Sequence, residues 1–228
     1  MIAPIQNGSP ADPRPPGEQA AAAFLPAGAL AAAAGDFEYE SRPQQVDMAR
    51  AVAEALAANR HLIVEAGTGV GKSLAYLVPL ILHAKRTGVR TLVSTHTISL
   101  QEQLVGKDLP LLERHLGTTF RSALVKGRMN YLCLRRLARA RHHQRELFGD
   151  GVAADLERIR AWADETEDGS VQELRRPPAP EAWAAVCAEH GNCLGAKCPE
   201  RKRCFLQRAR ARMRSEEHTS ELQSRFGI

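Results

Sequence analysis

Residues 66–73 read AGTGVGKS, and this stretch restricts the fold more than any other in the chain. The run Ala66, Gly67, Thr68, Gly69, Val70, Gly71 is small enough for successive backbone N–H groups to curl around a phosphate chain, with Ala66 in the position usually held by a first glycine. In this pattern Lys72 reaches the β- and γ-phosphates and Ser73 ligates Mg²⁺. The flanks have the required character. HLIVE at 61–65 reads as a short buried strand, and a helical pattern runs from Ser73 to about Lys85, presenting its positive end to the loop. A chance glycine-rich turn is the competing reading, and the strand–loop–helix context tells against it. Phosphate loops serve kinases, transporters, GTPases and motor ATPases alike, so the motif names ATP and Mg²⁺ as cofactors and leaves the task open.

The surrounding pattern predicts an α/β fold. Apolar spacing at Val46, Ala49, Val52 and Leu56 predicts a helix before the loop; TLVST at 91–95 and SALVK at 122–126 read as further strands, with a helix between them through Leu116. Alternating strands and helices imply a parallel sheet covered on both faces. Residues 1–36, rich in Pro, Gly and Ala, read as a flexible lead-in that gains order near Phe24. Beyond Arg128 the rhythm gives way to charged, mainly helical sequence carrying every cysteine, which predicts an insertion or second small domain over 128–213. No stretch approaches eighteen uninterrupted apolar residues, and the alanine run at 20–34 is broken by Pro26 and Gly28, so the expectation is a cytoplasmic protein without a membrane segment.

The five cysteines cluster, which in a reducing compartment points to metal or catalysis more than to disulfides. Cys193, Cys198 and Cys204 are separated by four and then five residues, with Cys133 far upstream. Zinc sites usually present a Cys-x₂-Cys pair, absent here, whereas a four-thiolate iron–sulfur cluster tolerates mixed spacings and one remote ligand. Zinc and plain buried thiols remain the alternatives. Cys187, on the helical stretch EAWAAVCAE, reads as a small buried thiol. The formal net charge of +5 gathers at 135–145 (RRLARARHHQR) and 201–212 (RKRCFLQRARAR). Beside the cysteines, these runs suit a nucleic-acid backbone; a solvated helix face is the other reading.

Three further stretches carry a family resemblance. SRPQQVDMARAV, upstream of the loop, resembles the adenine-reading Q motif of superfamily two helicases; STHTISLQEQLVGKDLPLL at 94–112 is similar to their motif Ia; and KGRMNYLC at 126–133, followed by the distant cysteine triplet, resembles the iron–sulfur insertion of the DinG/XPD family. These stretches cover most of residues 37–213 in the family's order. The resemblance implies a P-loop (RecA-like) parallel sheet, the N-terminal part of a first motor domain over 37–127, and a mainly helical insertion over 128–213 holding a 4Fe–4S cluster on Cys133, Cys193, Cys198 and Cys204. It implies ATP hydrolysis coupled to 5′-to-3′ translocation and duplex unwinding in DNA repair or replication, on single-stranded DNA and DNA junctions, by a monomer.

Each implied role has a physical counterpart. The Gln45 amide can both donate to and accept from an adenine edge, although an N-terminal helix glutamine can equally be a surface residue. Thr95, His96 and Thr97, where a strand gives way to a helix, can grip a DNA phosphate or cap the helix. Tyr131 can stack on a base while Lys126 and Arg128 neutralise phosphates, or it can be core. A zinc-containing nucleic-acid-binding module without ATPase activity is the rival reading. A helicase–exonuclease fusion is disfavoured by the short Pro-rich start. RSEEHTSELQS, beginning at Arg214, resembles a translated sequencing-library adapter, so residues 214–228 are expected to be an artefactual tail. Without an acidic magnesium motif or a second motor domain, the motor domain is incomplete and the chain as given is expected to be inactive as an ATPase.

Overall fold

Ile2–Pro4 forms a strand, β1, that pairs antiparallel with β2, Phe120–Ser122, in the register Ile2↔Ser122, Ala3↔Arg121 and Pro4↔Phe120. The structure, a computed structural model, describes residues 1–4, 12–32, 40–142 and 150–222. The chain divides into two compact units, Met1–Leu124 and a second that begins at Val125. Sequence composition put the boundary at 127/128. Lys126 moves to the second unit because its backbone N–H and its ammonium are both hydrogen-bonded there.

The first unit is built on helices α1 (Pro16–Ala22), α2 (Ala29–Ala32), α3 (Pro43–Ala57), α4 (Lys72–Thr87), α5 (Ile98–Gln103) and α6 (Leu109–His115). The buried face of α3, with Val46, Ala49 and Ala53, packs on α4 through Leu77, Val78 and Ile81 and on α1 through Ala20 and Ala21. Ile2, Phe24 and Leu30 join this core at 2%, 0% and 0% exposure, so part of the expected lead-in is ordered. Burying each such side chain contributes about 1.5–3 kcal/mol, enough to offset the chain entropy of a Pro- and Gly-rich segment locally. Residues 5–11 and 33–36 of the lead-in lie outside the described residues.

The expected parallel sheet is not formed among the described residues. Among the described residues the only sheet is the antiparallel β1–β2 pair, joined by an isolated bridge between Ile2 and Thr91. Residues 61–65 form no strand, and Ile63 is 98% exposed; Leu92 in the 91–95 stretch is 75% exposed. An apolar run becomes a strand only when a neighbour pairs its backbone, and here the N-terminal Ile2 exchanges hydrogen bonds with Thr91 (2.9 and 3.1 Å) where a parallel strand was expected.

The second unit packs helices Leu134–His142, Asp150–Glu165, Pro180–Val186 and Phe205–Leu222 around Tyr131, Leu132, Leu156, Ile159, Val186 and Leu206. Gly169 is required by this packing: at φ +68°, a Cβ there would lie 2.1 Å from the Phe205 ring. The last helix continues in its backbone past Arg214, where the tail was expected to begin, to Leu222; residues 223–228 of that tail lie outside the described residues.

Candidate functional site

The phosphate loop enters α4 as its sequence requires. Gly71 is the N-cap and Lys72 the first helical residue, with Gly69 and Gly71 in the left-handed region at φ +82° and +79°. Lys72 curls back, its Nζ donating to the carbonyls of Ala66 (2.9 Å) and Gly67 (2.6 Å). Its ammonium thus rests on acceptors of the loop that phosphate oxygens can replace, and Thr68 and Gly69 leave the rim exposed. Val70 and Ser73 are half-buried. The residues present fit a phosphate chain and a hard cation.

Two residues from the start of α3 reach the loop. Gln45, only 5% exposed, donates its Nε2 to the Gly71 carbonyl at 2.9 Å, and Arg42 donates to the Gly69 carbonyl while pairing with Glu40 at 3.1 Å. Gln45 is therefore no surface glutamine, and one of the amide protons it was expected to offer an adenine is committed to the loop. Arg42 was missed in the sequence. Its signal was its place at the α3 N-cap, three residues before Gln45.

Of the residues assigned to DNA, Thr97 caps α5, its hydroxyl accepting from Leu100 N at 3.4 Å, with His96 exposed and Thr95 half-buried just before it. Tyr131 and Lys126 require correction. Tyr131 is 1% exposed and its hydroxyl accepts from the Lys126 N–H at 3.0 Å, so its ring is core and offers no face to a base. Lys126 is buried at 8% exposure, donating to Ser170 Oγ at 2.7 Å with Asp168 at 3.9 Å, so its charge is spent internally. Arg128 is half-buried in the 3-10 turn Arg128–Asn130. The basic run at 135–145 is divided. Arg136 donates to the carbonyls of Ala184, Ala185 and Cys187 and pairs with Glu189, closing the end of helix Pro180–Val186; Arg139 is exposed; residues 143–145 lie outside the described residues.

In the second unit, residues 131–133 are clamped from two sides: Leu132 N donates to Gly169 O (2.8 Å), Cys133 N to Val186 O (2.8 Å), and Ala188 N to Tyr131 O (2.7 Å). This clamp carries the remote Cys133 to the loop of the cysteine triplet. Cys198 and Cys204 each follow a 3-10 turn, Gly195–Lys197 and Arg201–Arg203. Cys133, Cys193, Cys198 and Cys204 all line one cavity, floored by Leu206, whereas Cys187 is buried elsewhere with its Sγ toward Ala184 O. Burial pushes the Cys204 thiol above its ordinary value, and Cys133, Cys193 and Cys198 push it further. Four sulfurs that repel one another when ionised fit a cationic centre. Among the described residues no group of three or more His, Cys, Asp or Glu side chains is placed to hold a metal ion. No helix among the described residues is long and apolar enough to cross a membrane.

Comparison with known proteins supports the helicase resemblance. The DEAD/DEAH box helicase family matches residues 46–143. The chain is 43% identical over 187 residues to the ATP-dependent helicase DinG of Mycobacterium tuberculosis, covering 74% of this chain and 28% of that protein. It is 40% identical over 192 residues to the ATP-dependent DNA helicase YoaA of Escherichia coli, covering 82% and 28%. It is 35% identical over 139 residues to the 3'-5' exonuclease DinG of Bacillus subtilis, covering 61% and 15%. The chain thus spans little more than a quarter of the two helicases named.

Proposed function

We propose that this chain, a relative of the DinG-type DEAD/DEAH box helicases, supplies the phosphate-gripping part of an ATP-dependent DNA helicase together with an iron–sulfur insertion. The observation that carries this reading is the single site formed by Lys72, Ser73, Gln45 and Arg42, residues far apart in sequence that meet at one phosphate loop. Bound ATP and Mg²⁺ supply the transferable phosphoryl group and the charge that neutralises it.

The chain's own residues do the rest. Lys72 exchanges the Ala66 and Gly67 carbonyls for phosphate oxygens, and the first amides of α4 face the same oxygens. Ser73 offers its hydroxyl oxygen to the cation. Gln45 retains a second amide proton and its carbonyl oxygen for an adenine edge while holding Gly71, and Arg42 holds Gly69, so nucleotide binding and loop shape are linked through the start of α3. Thr95, His96 and Thr97 present two hydroxyls and a helix N-terminus to a single-strand phosphate.

For the cysteines, a 4Fe–4S cluster on Cys133, Cys193, Cys198 and Cys204 is favoured by their shared cavity and one-plus-three arrangement. When present it would tie the start of helix Leu134–His142 to the start of the last helix, holding the exposed arginines of both as one basic surface. The experiment is a titration of the chain with fluorescent single-stranded and duplex oligonucleotides at several salt concentrations. Preferential, steeply salt-dependent binding of the single strand supports the reading; equal, flat responses contradict it.

A further inference from the structure

The loop 166–170 carries no thiol, yet it binds the chain immediately beside two of the four cavity cysteines. On one side the Gly169 carbonyl accepts from Leu132 N at 2.8 Å, one residue before Cys133. On the other, the buried Gly169 packs against the ring of Phe205, one residue after Cys204, so closely that a Cβ would stand 2.1 Å from it. The loop is itself held firmly. Thr166 Oγ1 accepts from Gly169 N at 2.8 Å while donating to Glu173, and the buried Lys126 ammonium donates to Ser170 Oγ at 2.7 Å. Arg208 lies over the Phe205 ring at 4.9 Å and donates to the Glu167 carbonyl, so the last helix grips the loop in return.

Given the iron–sulfur reading above, on which this inference rests, we infer that Gly169 and its loop are the positioning element of the cysteine cavity, setting the separation between Cys133 and Cys204. No residue of the loop lines that cavity among the described residues, so it acts through the backbone next to each sulfur. Ionised thiols repel one another, and contacts made by other groups must hold them side by side. Gly169 supplies two such contacts at once, a carbonyl for the remote arm and a bare Cα for the triplet arm. A side chain at 169, or a loop free to drift once Thr166 releases the Gly169 N–H, moves the two arms apart. Residues that orient metal ligands from behind typically account for about 10- to 100-fold in metal affinity.

The test uses the 228-residue chain prepared without oxygen, as wild type, Thr166→Val, Thr166→Ser and Gly169→Ala. Ile159→Val, which loosens the same core at a residue that does not line the cavity, is the control for simple destabilisation. Iron and sulfide per chain are measured first, then the rate at which a chelator removes iron under argon, and the thermal midpoint of each chain. Thr166→Val should lose iron about 10-fold faster than wild type, and Thr166→Ser, which keeps the hydroxyl, should return to the wild-type rate. Gly169→Ala should hold little iron, and Ile159→Val should keep the wild-type rate at a lower thermal midpoint. Should Gly169→Ala fail to fold by circular dichroism, the Thr166 pair decides. Iron loss from Thr166→Val no faster than from wild type or Ile159→Val, or equally fast from Thr166→Ser, overturns the inference and leaves the cluster reading standing. Wild type without iron and sulfide overturns both.

Discussion

The side-chain amide of Gln45 donates to the main-chain carbonyl of Gly71 at 2.9 Å, joining the first turn of α3 to the residue that launches α4. The contact leaves no room for a side chain at position 71: a Cβ would stand 2.2 Å from Gln45 Nε2, at a φ of +79°. Two separate penalties therefore fall on one position.

Gly71→Ala is expected to destabilise the first unit through both penalties, the left-handed backbone alone contributing about 1–2 kcal/mol. Gln45→Ala in the same chain removes the steric part and leaves the backbone part, so the double mutant should recover about 1 kcal/mol relative to the sum of the singles. Gly67→Ala, where a Cβ meets nothing within 4 Å, should stay within about 0.5 kcal/mol of wild type. Urea unfolding of wild type, the two single variants, the double mutant and Gly67→Ala checks the ordering; strict additivity would show that Gln45 does not restrict position 71.

For the cysteine cavity, protein prepared without oxygen should be brown and contain iron and sulfide, and Cys198→Ser should lose both. Cys187→Ser should keep them, because Cys187 lies at 2% exposure outside the cavity. Elemental analysis that found stoichiometric zinc in colourless protein would contradict the cluster.

Arg136 and Arg139 are neighbours on one helix and should behave differently. Arg136→Ala removes a guanidinium bound to three carbonyls and Glu189, and should cost the second unit about 2 kcal/mol. Arg139→Ala should leave stability within about 0.5 kcal/mol and, if the exposed face meets DNA, reduce the slope of log K against log salt by about 0.7. Thermal unfolding and a salt series of oligonucleotide binding separate the two; identical behaviour would refute the division of the basic run.

Tyr131→Phe keeps the buried ring and removes the acceptor of the Lys126 N–H, an expected loss of about 1 kcal/mol, whereas Tyr131→Ala should cost about 3–5 kcal/mol. Single-strand affinity of Tyr131→Phe should match wild type. A stable Tyr131→Ala chain with weakened DNA binding would restore the stacking role.

What the sequence revealed was chemistry written in contiguous residues. The loop at 66–73 was legible because its glycines answer to a local backbone demand. The cysteine set was legible because thiols are few and clustered. Tyr131 and Lys126 were not, because an isolated aromatic or lysine carries no local mark of burial; Gly169, Ser170 and Asp168 decide it from some forty residues away. The strands at 61–65 and 91–95 were over-read because alternation and apolarity say nothing about which backbone supplies the ladder, and three residues at the N-terminus were too short a run to announce β1. The burial of Asp108 was hidden by the π turn, since it faces inward at a position where regular helical spacing gives no such signal.

The central claim is that residues 66–73 grip the phosphates of a nucleotide through Lys72. Equilibrium binding of a fluorescent ATP analogue in Mg²⁺ to the 228-residue chain and to Lys72→Ala tests it most directly, because among the described residues Lys72 bonds only to loop carbonyls and its loss should leave the fold intact. Loss of a charge-assisted contact worth about 1.5–3 kcal/mol predicts binding weaker by roughly 10- to 150-fold in Lys72→Ala at unchanged thermal stability. Equal affinity in the two chains would contradict the account.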